Sequence, residues 1–271
     1  MDKISFVILT WNSEKVIGPC LTSIAGIKDQ KTEIILVDNG SSDNTTAVIT
    51  TFKNSHPEIS MIEIRLERNF GTTVSRNLGL EKVSEDADYI CIQDSDTVIN
   101  QDAITELISN LNADPQNALA GPHMVNLEGV DQVTAKRIPT AMLKICKAIP
   151  VRSIQKIGER QEKYDFPDNQ RNYPVGYLIS ACWLMRKELI CKIGALDEKI
   201  FYSPEDVEYC VRIWTNGYRV IYCPNAHIIH ATQRISKKKL VSKHNFEHIR
   251  GLVYFFRKYG LFFSADKIIC K

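Results

Sequence analysis

The hydrophobic and polar positions alternate between two kinds of run. Ile4-Ser-Phe-Val-Ile-Leu-Thr10 is a short apolar, β-branched stretch, and Val16, Ile17, Cys20, Leu21 and Ile24 follow at helical spacing. That order predicts strand, loop, helix, with Pro19 delaying or kinking the helix because proline lacks the interior donor. Glu33-Ile-Ile-Leu-Val37 repeats the strand signal and ends in Asp38-Asn-Gly-Ser-Ser-Asp43, a turn rich in residues that cap helices and tolerate positive φ. A crossover helix is expected over 45–52, a third strand over 59–66, a helix-bearing segment over 71–83 and a fourth strand over 88–93. Short apolar strands that alternate with polar loops and helical segments predict an α/β fold, a mostly parallel central sheet flanked by helices. In such sheets ligands bind beyond the carboxyl ends of the strands, where Asp38 and Asp94 fall.

Further along, 100–111 reads as a helix and 118–125 as a strand, whereas 129–172 mixes basic residues and prolines without a sustained period. This stretch is expected to be an insertion or acceptor-side region. Strand character returns over 178–185, and a short helix over 186–193 ends near Gly194. Ser203-Pro-Glu-Asp206 then predicts a helix start with serine as cap, proline in the first turn and Val207, Cys210, Val211 and Trp214 on one face. Arg219-Val-Ile-Tyr-Cys223 predicts a strand, Pro224 a turn, and His227-Ile-Ile-His230 a last strand-like run.

With 271 residues, 44% of them apolar, the chain can bury a sizeable core. Eight scattered cysteines without a CxxC pair predict reduced, mainly buried thiols. No run of about 18 uncharged apolar residues occurs and the first strand begins at once, so neither a transmembrane segment nor a secretory signal is expected, and the expected compartment is the cytoplasm. The net charge of +2 conceals a basic end: eight Lys or Arg lie between Arg234 and Lys258, opposed only by Glu247. Phe246, Ile249, Val253 and Phe256 recur there at helical spacing, a pattern that suits a helix packed on the domain or one lying on the inner face of a membrane. Lys237, Lys238 and Lys239 favour the membrane.

The chemistry concentrates where Tyr89-Ile-Cys-Ile-Gln93 runs into Asp94-Ser95-Asp96. Two carboxylates one residue apart at a strand end can hold Mg2+ or Mn2+ while substrate phosphates complete the shell. Asp96 is the expected metal ligand, Asp94 a second ligand or a ribose contact, and His230 a third metal ligand or a phosphate partner. Asp38 either accepts hydrogen bonds from a base or ribose or merely organises its turn. Asp206 beside Glu205 is a candidate general base; helix position alone argues for a lowered pKa. Arg65, Arg68 and Arg76 are candidates to neutralise a diphosphate, and Arg212, four residues from Glu208, is expected to form a helix ion pair. Organised nucleic-acid recognition is not visible.

These residues resemble a family-two nucleotide-sugar glycosyltransferase with the GT-A fold. The likeness rests on Val7-Ile-Leu-Thr-Trp-Asn12, the Ile34 to Asp43 segment, Glu67-Arg-Asn-Phe-Gly71, Arg76-Asn-Leu-Gly79, Gln93-Asp-Ser-Asp96 and the block from Gly194 to Asp206 continuing to His230. It implies inverting transfer of a sugar from a nucleoside diphosphate donor to a saccharide or lipid-linked saccharide acceptor in surface polysaccharide or glycolipid assembly. It also implies a nucleotide site of Thr10, Asn12, Asp38, Arg68 and Asp94, metal ligands Asp94, Asp96 and His230, and catalytic Asp206 with Glu205. The Glu67 to Gly71 element and the aromatic, basic tail are similar to rhamnosyltransferase-like enzymes. Residues 1–233 are expected to form the catalytic domain and 234–271 a helical extension. A nucleotidyltransferase and an inactive carbohydrate-binding protein are the alternatives; the first would more often carry a glycine-rich phosphate loop, which Thr10-Trp-Asn-Ser-Glu14 is not.

Overall fold

The computed structural model describes residues 1–167, 171–232 and 243–269. Its first half alternates β1 (Lys3–Thr10), α1 (Ile17–Ala25), β2 (Lys31–Asp38), α2 (Thr45–Ser55), β3 (Ser60–Arg65), α3 (Thr72–Leu80) and β4 (Tyr89–Asp94), then β5 (Thr97–Val98), α4 (Gln101–Ala113) and β6 (Asn117–Val125). The stretch without a sequence period contains β7 (Asp131–Gln132), β8 (Ala135–Lys136), α5 (Ala141–Ala148), α6 (Arg152–Glu162), β9 (Tyr173–Pro174) and β10 (Tyr177–Leu178). The chain continues through β11 (Cys182–Arg186), α7 (Lys187–Ile193), α8 (Glu205–Thr215), β12 (Arg219–His230), α9 (Lys243–Tyr259) and α10 (Asp266–Ile269).

The main sheet runs in the order β3-β2-β1-β4-β11-β6-β12-β5. Strands β3, β2, β1 and β4 are mutually parallel, β11 inserts antiparallel to β4 and β6, and β12 is parallel to β6. Helices cover both faces, as the unbroken apolar runs require. Alternate residues of β1 face opposite ways: Ile4, Phe6 and Ile8 join one core with α1 and α4, and Val7 joins the other with α3 and α8. Cys20, Cys91, Cys182, Cys210 and Cys223 are free and buried, whereas Cys191 is exposed.

Three expectations change. Residues 178–185 do not form one strand; β10 pairs with β8 in a separate small sheet, and only β11 enters the main sheet. Nor does Pro224 make a turn: β12 runs unbroken through it, with its register against β6 shifting between Cys223 and His227. A bulge of this kind absorbs a proline that cannot donate to the ladder. Finally, α8 begins at Glu205 with Pro204 at the cap position and no side-chain cap bond, so Ser203 does not cap it.

Helix α9 sits on the domain. Phe255, Phe256 and Leu261 enter the second core, so the aromatic stripe divides: Phe256 is buried, while Phe246, Ile249 and Val253 are exposed. The bond Tyr254 Oη to Asp197 (2.8 Å) and the pair Lys258 Nζ to Glu208 (2.8 Å) pin it. Among the described residues no helix is long and apolar enough to cross a membrane. The Lys237 to Lys239 run lies outside the described residues.

Gly251 lets α9 seat beside the start of α8, because a Cβ there would lie 2.3 Å from the Ser203 carbonyl oxygen. Gly251→Val should therefore separate the helix from the loop before Glu205 and destabilise the protein by about 1–3 kcal/mol. Thermal denaturation would show this as a fall of ~2–4 °C per kcal/mol, and an unchanged melting temperature would refute the contact.

Candidate active site

The parallel register lines up the strand ends. Thr10 on β1 pairs with Asp38 on β2, and Leu9 pairs with Asp94 on β4, so three predicted site residues share one edge. Thr10 Oγ1 is buried there and has no hydrogen-bond partner among the described residues. Asp38 Oδ1 accepts from the Ser41 backbone N–H (3.0 Å) and hydroxyl (2.6 Å), so the turn-organising role is realised; Oδ2 lies 3.4 Å from Thr46 Oγ1. Asn12, at φ 51°, accepts from the Ser42 N–H (2.8 Å) and donates its own backbone N–H to Ser41 Oγ (2.9 Å). Arg68 stays on the rim, its side chain 73% exposed and its guanidinium 4.8 Å from the Phe70 ring centroid. Arg65 pairs with Glu63 (2.6 Å) and stands beside Asp38 in the β2–β3 register.

Asp94, Asp96 and His230 converge, one ligand atom from each lying within 4.8 Å of the others. The short β5 makes this possible. It carries Thr97 back against β12 so that His230 pairs with Thr97, and Ala231 N–H donates to Asp96 O (2.7 Å). The period-two alternation of β12 turns His230 inward and leaves His227 exposed. Two carboxylates and one imidazole suit a divalent cation such as Mg2+ or Mn2+. His230 Nε2 lies 3.4 Å from Asp96 Oδ1, while Nδ1 lies 2.7 Å from Gln132 Oε1. An Nδ1–H donated to Gln132 leaves Nε2 aimed at the carboxylates, the arrangement that orients a metal-binding imidazole. Gln132 Nε2 donates in turn to His230 O (2.8 Å) and Thr232 Oγ1 (3.0 Å), which sets the amide's direction. Gln132 comes from β7, inside the aperiodic stretch, where no sequence signal marked it.

Asp94 also joins a second system. Arg76 NH2 donates to Asp94 Oδ1 (2.6 Å) and Ser180 O (3.0 Å), and NH1 lies 3.4 Å from Glu205 Oε1, which also accepts from Ser180 Oγ (3.1 Å). Arg76 is 1% exposed, and among the described residues its Nε has no partner. The arginine thus binds the metal-type cluster to the start of α8 instead of presenting itself to solvent. Gly71, at φ 90°, brings the loop before α3 onto the loop before α8, where Thr72 N–H donates to Phe201 O (2.7 Å). Arg212 forms the expected ion pair with Glu208 (3.0 Å).

Glu205 and Asp206 differ in surroundings. Glu205 is buried, and that burial, followed by the charge of Asp206, raises its pKa from 4.5 to about 8 against the opposing effect of Arg76. Asp206 is half-buried and accepts the Val207 N–H (2.8 Å). Burial raises its pKa too, despite Val207, Lys136 and Lys144. The helix start alone argued for a lowered value; desolvation outweighs it here. A pair that keeps a proton near neutrality can accept or relay one.

Residues 5–194 match the model of glycosyl transferase family 2. The chain is 23% identical over 263 residues to the N-acetylglucosaminyl-diphospho-decaprenol L-rhamnosyltransferase of Mycobacterium tuberculosis, covering 92% of this chain and 83% of that protein. Among solved structures, the mannosyltransferase PcManGT from Pyrobaculum calidifontis in complex with GDP-Man and Mn2+ superposes at TM-score 0.65 and 17% identity, covering 98% of this chain and 67% of that one. GalNAc-T7 with UDP, GalNAc and Mn2+ gives 0.69 at 14% identity, covering 94% of this chain and 48% of that one, so the present chain spans about half its length. These likenesses confirm the GT-A fold.

Removing the brace in Gln132→Ala should weaken Mn2+ binding ~10–100-fold, read by electron paramagnetic resonance without any donor; unchanged affinity would show that Gln132 does not position His230. For Glu205, the raised pKa means that the folded state binds more protons than the unfolded one between about pH 4.5 and 8. Stability should fall across that window as pH rises. Denaturant titrations of wild type and Glu205→Gln should diverge over it, wild type losing ground; parallel curves would contradict the shift.

Proposed function

We propose, for a chain that belongs to glycosyl transferase family 2, metal-dependent transfer of a sugar from a nucleoside diphosphate donor to an acceptor hydroxyl with inversion at the anomeric carbon. The observation that carries this reading is the single edge on which Asp94, Asp96 and His230 meet a helix start bearing Glu205 and Asp206, joined through Arg76. On it, Asp38, Thr10, Asn12 and Arg68 receive the nucleoside and diphosphate. Asp96, Asp94 and His230 would hold Mg2+ or Mn2+, which supplies electrostatic stabilisation to the departing diphosphate.

Asp206 removes the acceptor hydroxyl's proton on the face of the sugar opposite the leaving group. Its partial exposure suits contact with the acceptor, whereas Glu205, facing Arg76 and Ser180, suits a positioning role. One base suffices because the diphosphate is already a good leaving group.

Residues 1–233 serve as the catalytic unit and 234–271 as an extension whose described helix α9 rests on it. The product belongs to surface polysaccharide or glycolipid assembly, a reading supported by the similarity to a rhamnosyltransferase. A cytoplasmic site of action, with contact at the inner face of the membrane, is supported by exposed Phe246, Ile249 and Val253 beside Arg250 and Arg257 on α9. The tail's positive charge is assigned to lipid and not to nucleic acid.

A panel of nucleoside diphosphates and their sugar conjugates, titrated with and without Mn2+, tests the reading. One conjugate should bind only with metal, and Asp96→Ala should abolish that dependence. Asp206→Asn should bind the donor normally yet transfer ~10²–10⁴-fold more slowly. No bound conjugate, or full activity in Asp206→Asn, would overturn the assignment.

A further inference from the structure

A second group of cation-type donors stands on the other face of the strands that carry His230 and its brace. His123 of β6 and His227 of β12 are direct partners in the parallel register, and Asp131 of β7 pairs with Val125, two residues on from His123. Alternation along β6 therefore puts Asp131 on the side that carries both imidazoles. His123 Nε2 lies 3.0 Å from Asp131 Oδ1, and the His227 ring meets the His123 ring edge-on with centroids 5.1 Å apart. Gln132, the next residue of β7, alternates to the opposite face and holds His230 Nδ1 (2.7 Å). This two-residue strand thus sends one side chain to each cluster.

Two imidazoles and one carboxylate are a softer donor set than the two carboxylates and one imidazole of Asp94, Asp96 and His230. Such a set suits Zn2+, whereas oxygen donors suit Mg2+ or Mn2+. The His123 ring is already oriented for the task, with Tyr222 Oη 2.8 Å from Nδ1. Without a cation, Nε2–H donates to Asp131. With one, the proton resides on Nδ1 and is donated to Tyr222 Oη, which can accept as well as donate, so Nε2 and the carboxylate both become ligands. His227 supplies the third donor. Among the described residues its ring has no hydrogen bond or ion pair, and the side chain is exposed. Among those residues only Asp94, Asp96 and His230 already hold three donor atoms within 4.8 Å of one another, so closing the outer site takes a turn of His227, a rotamer change that exposed side chains make readily.

We propose that His123, His227 and Asp131 form a zinc site on the outer face of the sheet, separate from the catalytic cluster, and that its occupancy clamps β7 to β6 and β12. Strand β7 has most to gain from a clamp, because it is reached through a run of exposed residues, 127–130, and is paired along β6 alone. Gln132 rides on the clamped strand, so an ion on the outer face steadies the brace of His230 on the inner one. The assignment needs no particular reading of Asp206 or of the acceptor.

The test is a calorimetric titration of the full chain with Zn2+ alone, in the Asp96→Ala background so that the catalytic cluster does not compete. One equivalent should bind. Adding His227→Ala should weaken it at least ~10-fold, since even the outer partners of a ligand are worth ~10–100-fold in metal affinity. Asp131→Asn should do the same, and both side chains are exposed, so neither change disturbs the core. Zinc should also slow amide exchange across β7 by up to ~100-fold at a free concentration roughly 100 times its dissociation constant, because local opening of the strand breaks the site. With His227→Ala that protection should vanish. Undiminished affinity in both variants would place the ion elsewhere on the chain and overturn the proposal, as would no binding at all. Zinc bound with unchanged exchange would overturn the clamp.

Discussion

Arg76 is the constraint on which the site depends. A guanidinium at 1% exposure survives only if carboxylates and carbonyls surround it, and here these come from β4 (Asp94), the β10–β11 connection (Ser180) and α8 (Glu205). These three elements, which also meet through the Asp94 N–H to Ala181 O bond (2.9 Å) and the Ser180 Oγ to Glu205 bond (3.1 Å), are thereby registered against one another. Removing one partner of such a buried pair typically costs about 3–5 kcal/mol because the other charge is stranded. The same arginine that stabilises the fold therefore sets the spacing between the metal-type cluster and the Glu205–Asp206 pair.

Around this bridge the sheet divides its labour. The parallel strands β2, β1 and β4 end together and present Asp38, Thr10 and Asp94, a row suited to a nucleotide. Past β4 the direction reverses: antiparallel β11 brings Ser180 and Ala181 back to the same edge, where Ala181 O accepts the Asp94 N–H (2.9 Å). Gln93, fully buried, donates to Thr97 O (3.3 Å) and so holds the turn that carries Asp96. The short β5 then delivers that turn to His230. Each side chain in the cluster is placed by backbone pairing, which gives it little freedom to wander and suits it to binding a cation with preferred geometry.

The opposite flank is built from less regular pieces. Strand β8 pairs with β10, Lys144 and Lys147 of α5 hold the buried Glu162 of α6, and Glu208 ties α8 to α9 through Lys258 and Tyr259. The C-terminal helix is thus structural at Phe255 and Phe256 and outward-facing at Phe246, Ile249 and Val253. Both halves of that pattern come from one helix longer than the surface it covers.

The sequence by itself determined the parallel half of the sheet, the strand-end carboxylates Asp38, Asp94 and Asp96, the helix bearing Glu205 and Asp206, and the family, because apolar runs, turn residues and local spacing are properties of neighbouring positions. It also marked His230, but not what would bring it to Asp96 across more than a hundred residues. Only the tertiary structure decided that β12 passes through Pro224 without turning, that Gln132 braces His230, and that Arg76 is a buried bridge and not a solvent-facing diphosphate clamp. It decided the sign of the Asp206 shift as well. Helix position favours the charged form, whereas desolvation opposes it, and burial depends on elements far away in the chain. Long-range pairing, and the dielectric surroundings it creates, have no local pattern for a sequence to display.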